Sequence, residues 1–263
     1  MTRRTLLLSL GASAVAQSKP VIPLRALNHV TMSVKDVQRS VDFYQALLSL
    51  PVQARQGPTV LLRVGPGPQF LALNPAANGA RTGIHHFCVT SDIFDLNTLF
   101  GTLAAHGIDR GKVRVRMRPA ELGGAKDGTP EVYVTDPDGL ILQIQHSSYC
   151  GGAGAFGEAC TGPIEPPKRK GLIAVRDFHH VLLQVPNRER SLSFYRELFG
   201  QQPKAIAIAR APQSAIAHAS LLTDSFRPKP ILAALAELGI RDVQSEKDSI
   251  TFADPEGIRI QLR

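Results

Sequence analysis

The stretch IHHFCVTSD, residues 84–92, sets two histidines side by side, and others stand at comparable points: His29 in NHVTMSV, His180 in HHVLLQV and His218 in IAHASLL. Imidazole has two chemistries near neutral pH. It carries protons, and through an unprotonated nitrogen it holds Zn, Fe, Ni or Cu. A metal held by a few protein donors keeps open positions, where it can polarise neighbouring oxygens of a small molecule. Adjacent side chains of a strand point to opposite faces, so only one of His85 and His86 can reach a given site.

The histidines recur because the chain repeats. Residues 28–49, NHVTMSVKDVQRSVDFYQALLS, match HHVLLQVPNRERSLSFYRELFG (179–200) without a gap. The constant offset of 151 carries His29 onto His180 and Tyr44 onto Tyr195. Residues 84–108 match 216–240 at an offset of 132, carrying His86 onto His218. DPDGLILQI (136–144) answers DPEGIRIQL (254–262), so the chain reads as two halves of two modules each. Each module opens with a strand and continues into a helix. Val37, Val41, Tyr44 and Leu48 have helical spacing in the first; Leu96, Leu99, Phe100 and Leu103 have it in the second, after Asp92 as a possible N-cap. Strands follow in TVLLRV, QFLALN, EVYVTD and LILQIQ, with hairpin-turn chemistry at Asp136–Gly139. The unit is β-α-β-β-β.

Face parity then sorts the histidines. Val30, Met32 and Val34 share an apolar face, which leaves His29, Thr31 and Ser33 to line a cleft. His85 shares its face with Phe87 and Val89, whereas His86 lies with Cys88 and Thr90. His86 is thus the cleft histidine and His85 a structural or edge residue. A count back from Asp92 favours His85 instead, but a one-residue loop change is easier than a flipped face. Gln143 and Gln261 each sit four residues after a turn glycine, on cleft-facing positions.

The chain has 263 residues, 43% of them apolar, which suffices for one or two globular domains. Its net charge of +8 is spread out, apart from PPKRKG at 166–171, and there is no Trp. A nucleic-acid surface wants a concentrated basic stripe with interleaved aromatics, so no nucleic-acid partner is expected; the charge suits solubility and attraction of anionic small molecules. MTRRTLLLSLGASAVAQ has paired arginines, an apolar run and a small-residue site in the order of a secretory signal, and it resembles the twin-arginine kind. Removal of residues 1–16 and export to the periplasm or beyond are expected, with no integral membrane segment in the mature chain. In such a compartment Cys150 and Cys160, flanking CGGAGAFGEAC, can pair; Cys88 is left over and expected to be buried.

A cleft-facing histidine on a first strand, a repeated β-α-β-β-β unit, and a donor-bearing side chain four residues after D-P-[DE]-G resemble the vicinal oxygen chelate superfamily. Its members include glyoxalases, bleomycin and fosfomycin resistance proteins, and extradiol dioxygenases. The resemblance implies an α+β fold of four βαβββ-type modules paired into two half-open mixed-sheet barrels, the second half shortened. The N-terminal domain is expected over 25–147, a Gly- and Pro-rich linker over 151–173, and the C-terminal domain over 176–263. It also implies a divalent metal, Fe, Zn, Ni or Mn, held by His29, His86 and Gln143, with His180, His218 and Gln261 as a second candidate set. The family's iron dioxygenases carry a carboxylate where this chain has Gln143 and Gln261, and Ala72 stands near the expected ligand position of the first module. Two imidazoles and one amide leave the metal charge uncompensated, which makes a stronger Lewis acid but a looser trap.

His29, His86 and Gln143 are evenly spaced, 57 residues apart each time, whereas His180 to His218 is 38 and His218 to Gln261 is 43. The second half is therefore expected to have lost a strand or more in each module, with AIAIARAPQSAIAHASLL as a hairpin, and the working site is expected in the first half. Glu131, on the strand before the turn, is a candidate proton acceptor. Three functions remain open: an extradiol-dioxygenase-like metalloenzyme acting on vicinal oxygens of a small molecule, a glyoxalase-type isomerase or lyase, and a resistance-type protein that only binds a small molecule.

Overall fold

On the first strand, β1 (Ala26–Val34), Val30, Met32 and Val34 are fully buried beneath Phe43, Tyr44, Leu47 and Leu48 of α1 (Val37–Leu48). Asp36 starts that helix by accepting from the Arg39 amide. The computed structural model describes residues 19–160 and 165–263; the expected signal, residues 1–16, lies outside them. After α1 come β2 (Val52–Gln56), β3 (Thr59–Arg63) and β4 (Phe70–Pro75). The second module is β5 (Gly83–Ser91), α2 (Leu96–Ala105), β6 (Val113–Arg118), β7 (Thr129–Thr135) and β8 (Ile141–His146). These strands form one mixed sheet in the order β2-β3-β4-β1-β5-β8-β7-β6, curled into a half-barrel with β2 and β6 at its edges. The α2 cap is Asp95, which accepts from the Thr98 amide; Asp92, the expected cap, is bonded to Arg25 instead.

The second half comprises β9 (Val175–Val185), α3 (Arg188–Phe199), β10 (Ile206–Arg210), β11 (Ala215–Thr223), α4 (Pro228–Glu237), β12 (Val243–Ser245), β13 (Ile250–Ala253) and β14 (Arg259–Leu262). Its sheet has six strands in the order β10-β9-β11-β14-β13-β12. The shortening is not shared between modules as expected. The third module has only β10 after its helix, while the fourth keeps three short strands. Nor do residues 205–222 form a hairpin: β9 runs between β10 and β11, parallel to the first and antiparallel to the second.

The segment after β8 is a built part of the first half. Cys150 and Cys160 are joined in a disulfide, and the backbone of this segment bridges the two sides of the sheet. On the β2 side Gln53 donates to the Cys150 carbonyl at 2.8 Å and Gln56 to that of Gly151 at 2.9 Å. On the other side Arg118 donates to the Gly152 carbonyl at 2.7 Å and Thr129 to that of Gly154 at 2.9 Å.

The repeated tyrosines and turn aspartates pair crosswise between the halves. The Tyr44 hydroxyl donates to Asp254 at 2.7 Å, and that of Tyr195 to Asp136 at 2.8 Å. All four residues are buried. Each turn carboxylate also accepts from two amides of its own turn: Asp138 and Leu140 for Asp136, Glu256 and Ile258 for Asp254. The glycine of the first turn, Gly139, has φ +82°, a conformation that strains other residues. Burial raises the pKa of both aspartates, against the opposing pull of these hydrogen bonds.

Candidate metal centre

Strand register lays one row of side chains across six strands of the first sheet. Phe70 of β4 pairs with His29 of β1, His29 with Cys88 of β5, Cys88 with Gln143 of β8, Gln143 with Tyr133 of β7, and Tyr133 with Arg114 of β6. His86 stands one step along β5, opposite Thr31. This concave face lines a cavity of about 250 Å³. His29, His86 and Gln143 are buried at its floor, with exposures of 2%, 7% and 1%.

The Gln143 Oε1 atom is the meeting point: His29 Nε2 lies 3.1 Å from it and His86 Nε2 3.0 Å. Each histidine has a partner on its other nitrogen. His29 Nδ1 is 2.8 Å from Asn28 Oδ1, and Asn28 is itself fixed by donating from Nδ2 to the Tyr149 carbonyl at 2.9 Å. His86 Nδ1 is 2.8 Å from His85 Nδ1, and its Nε2 is also 3.0 Å from Thr31 Oγ1. Phe70 stacks on the His29 ring with centroids 4.3 Å apart. Burial lowers the His29 pKa to about 3, against the opposing Gln143 contact. The His86 pKa is likewise depressed by burial, then by the neighbouring His29 and His85.

Neutral imidazole has a single N–H, yet His29 faces an amide oxygen from each ring nitrogen. One of those contacts therefore sets lone pair against lone pair. The shorter one, to Asn28, takes the proton, so the Nε2 lone pair faces Gln143 Oε1. The Gln143 amide nitrogen, by contrast, is buried with no hydrogen-bond partner. A donor set of this kind suits a cation. Protein nitrogen and oxygen donors sit about 2.0–2.2 Å from such an ion, so His29 Nε2 and His86 Nε2, 3.1 and 3.0 Å from Gln143 Oε1, are close enough to it to share one ion. Among the described residues no group of three His, Cys, Asp or Glu could hold a metal, because the third donor here is an amide. The residues fit a divalent ion in spacing and donor type, and supply no charge to it.

The second set is not assembled in this way. His180 and His218 have their Nε2 atoms 3.4 Å apart, but Gln261 accepts from Ser220 at 2.9 Å and points its amide nitrogen at Ser249 and Thr251. The pKa of both histidines is lowered to about 4, first by burial and then by neighbouring charge, that of His218 by Arg259 and Arg263.

Glu131 faces the same cavity with both oxygens engaged. Oε1 accepts from Arg118 Nε at 2.8 Å and from Tyr149 at 3.1 Å; Oε2 accepts from Tyr133 at 3.0 Å and has Arg116 at 3.7 Å. Sequence reasoning missed the neighbours that matter here. His85 lines the cavity and holds His86, while Arg114 and Arg116 stand at its mouth. The signal was available in VRVRMR, where arginines at every second position must share one strand face.

Comparison with known proteins fits this picture. Residues 26–144 match the sequence model of the Glyoxalase/Bleomycin resistance protein/Dioxygenase superfamily. No curated protein matches the chain by sequence. The 2,3-dioxygenase LapB from Pseudomonas sp. KL28 is similar in structure, with a TM-score of 0.68 and 19% identity over 92% of this chain and 93% of that one. The Mn(II)-bound glyoxalase from Novosphingobium aromaticivorans gives 0.65 and 16%, over 92% and 82%. Homoprotocatechuate 2,3-dioxygenase from Brevibacterium fuscum, in complex with 3,4-dihydroxyphenylacetate, gives 0.70 and 13%, over 93% and 81%.

Proposed function

With residues 26–144 belonging to the glyoxalase/bleomycin resistance protein/dioxygenase superfamily and over nine-tenths of the chain sharing the fold of dioxygenase and glyoxalase structures, we propose that the first half is a metal-dependent enzyme site for a small molecule with vicinal oxygens, of extradiol-dioxygenase type. The observation that carries this reading is the convergence of His29 Nε2, His86 Nε2 and Gln143 Oε1 at the cavity floor. A divalent ion there would act as a Lewis acid on two adjacent oxygens and leave room beside them for a second reactant. The chain's own residues do the rest. Asn28 and His85 orient the two imidazoles; Phe70 and Tyr149 shield the His29 side from water; Tyr133 forms the wall next to His86, its ring edge-on to the imidazole at 5.3 Å.

In this proposal Glu131 is a positioning residue that fixes Tyr133 and Tyr149, since two arginines and two tyrosines already occupy it. The second half supports the first through the crosswise tyrosine–aspartate pairs. Export by the N-terminal signal belongs to the same proposal, supported by the Cys150–Cys160 disulfide, a bond of oxidising compartments.

The all-neutral donor set favours one second reading. A metal whose charge is not offset is suited to Lewis-acid chemistry without change of oxidation state, as in a glyoxalase-type isomerisation. Metal analysis of protein purified without added metal, followed by assays on catechols with and without O2 and on hydroxy-ketones, separates the two. O2-dependent ring cleavage supports the first and O2-independent turnover of hydroxy-ketones the second; protein that retains no metal overturns both.

A further inference from the structure

The arginines of β6 differ in how far their charge is answered. Arg114, Arg116 and Arg118 alternate along one face of the strand, opposite Tyr133, Glu131 and Thr129 of β7. Arg118, fully buried, is paired with Glu131 at 2.8 Å; Arg116, partly exposed, stands 3.7 Å from the same carboxylate. Arg114 has no carboxylate partner and no side-chain hydrogen bond among the described residues. Its guanidinium carbon stands over the Tyr133 ring, 4.4 Å from the centroid, which holds it at the cavity mouth. The ring beneath it is fixed in turn, because the Tyr133 hydroxyl donates to Glu131.

The lining therefore has an excess of positive charge with a direction. Glu131 is the carboxylate facing the cavity, and it is already matched by Arg118 behind it. Arg114 ends the row of paired residues that runs through Gln143 and Tyr133, two strands beyond Gln143. Two strand spacings are about 10 Å between Cα positions, and an arginine reaching inward shortens that span to about the length of one ring and its substituent. A planar fork with unanswered donors at that position matches a carboxylate.

We infer that the ligand of this cavity is an anion: a small molecule whose two vicinal oxygens face His29, His86 and Gln143 while a carboxylate at its far end pairs with Arg114, with Arg116 in support. Arg114 then selects the substrate and takes no part in the reaction at the oxygens. This deepens the proposed function and rests on it for the placement of the vicinal oxygens, although the anion subsite can be tested alone.

The test is a pair of calorimetric titrations on the full-length protein. The first uses benzoate against benzamide without metal; the second uses 3,4-dihydroxybenzoate against its amide after Mn(II) is added under anaerobic conditions. A charge-assisted, bidentate contact predicts that each carboxylate binds at least about tenfold more tightly than its amide. The preference should fall to about one in Arg114→Gln, survive in part in Arg114→Lys, and shrink with added salt. Folding of each variant is checked by its circular dichroism, and Arg114→Lys keeps the test decisive if the glutamine variant is damaged. Equal affinities within each pair for the wild type, or a preference unchanged in Arg114→Gln, would overturn the inference. A protein that holds Mn(II) but treats the pairs alike loses the subsite and keeps the metal reading. One that holds no metal yet prefers benzoate through Arg114 does the reverse.

Discussion

Replacing Glu131 by Gln separates a proton acceptor from a structural anchor. The carboxylate is 1% exposed and bonded to the fully buried Arg118 at 2.8 Å, to Tyr149 at 3.1 Å and to Tyr133 at 3.0 Å. Removing one partner of a buried ion pair strands the other charge and costs about 3–5 kcal/mol. The glutamine keeps one oxygen for one set of donors but turns an N–H toward the other, so the lower end, about 3 kcal/mol, is expected. At about 1.4 kcal/mol per tenfold, that raises the unfolded fraction by about two orders of magnitude. Urea unfolding followed by circular dichroism measures it. The double variant Glu131→Gln with Arg118→Met should lose less than the two single losses added together, because the stranded charge is gone. Metal retention should be nearly unchanged in folded Glu131→Gln, since the residue holds no metal in this account. A loss below about 1 kcal/mol together with abolished turnover would refute the anchor role and make Glu131 the proton acceptor.

Three further outcomes are expected. Gln143→Glu removes an amide nitrogen that has no partner and adds the missing negative charge, so it should tighten metal binding at least about tenfold in a competition titration, as added ligand charge does. Tyr44→Phe and Tyr195→Phe should each cost about 1.5–3 kcal/mol in urea unfolding, the range for a hydrogen bond to a buried charge. Acid should weaken the metal-free protein through its histidines. The folded pKa values, about 3 for His29 and about 4 for His180 and His218, lie below the ordinary 6.5, so their stabilisation is present above that value and lost as pH falls. The slope is at most about 1.4 kcal/mol per pH unit for each histidine. Asp136 and Asp254 have the opposite sign: their raised pKa values give stability that is present in acid and lost as pH rises. Unfolding midpoints at pH 7 and pH 5 therefore measure the net of the two effects, and a lower midpoint at pH 5 is the sign of the histidines.

Much of this was legible because strand parity is geometric. His86 facing the floor beside His29, with Val30, Met32 and Val34 on the other face, follows from counting by twos, and the ungapped repeats locate the helices. What the sequence hid has physical reasons. Strands β2, VQARQ, and β6, VRVRMR, alternate apolar and polar residues, but they are short, polar edge strands, so they stand out less than the apolar runs of the inner strands. Asp95 rather than Asp92 caps α2 because the helix begins at Leu96, which puts the Thr98 amide, still without an intrahelical acceptor, within reach of the Asp95 carboxylate. The offset between repeats showed that Tyr44 resembles Tyr195 and Asp136 resembles Asp254, but similarity does not say that each tyrosine binds the aspartate of the opposite half. Gln261 matched Gln143 in position, yet Ser220, Ser249 and Thr251 offer it a closer polar environment than the histidines do. Likewise face parity makes His85 a structural or edge residue but does not bring it to the cavity; the pairing of β1 with β5 shifts register there, Thr31 facing His86 and Met32 facing Ile84, and His85 falls at that irregularity, beside His86.

The central claim is that His29, His86 and Gln143 hold a divalent metal in the first half. Its most direct test is the metal-to-protein ratio, by elemental analysis, of His29→Ala, His86→Ala, His85→Ala, His180→Ala and His218→Ala beside the wild type. The account predicts near-complete loss in the first two, weakened retention in His85→Ala because only the orientation of His86 is lost, and wild-type ratios in the last two. Loss confined to His180→Ala and His218→Ala, or wild-type metal content in His29→Ala and His86→Ala, would contradict it.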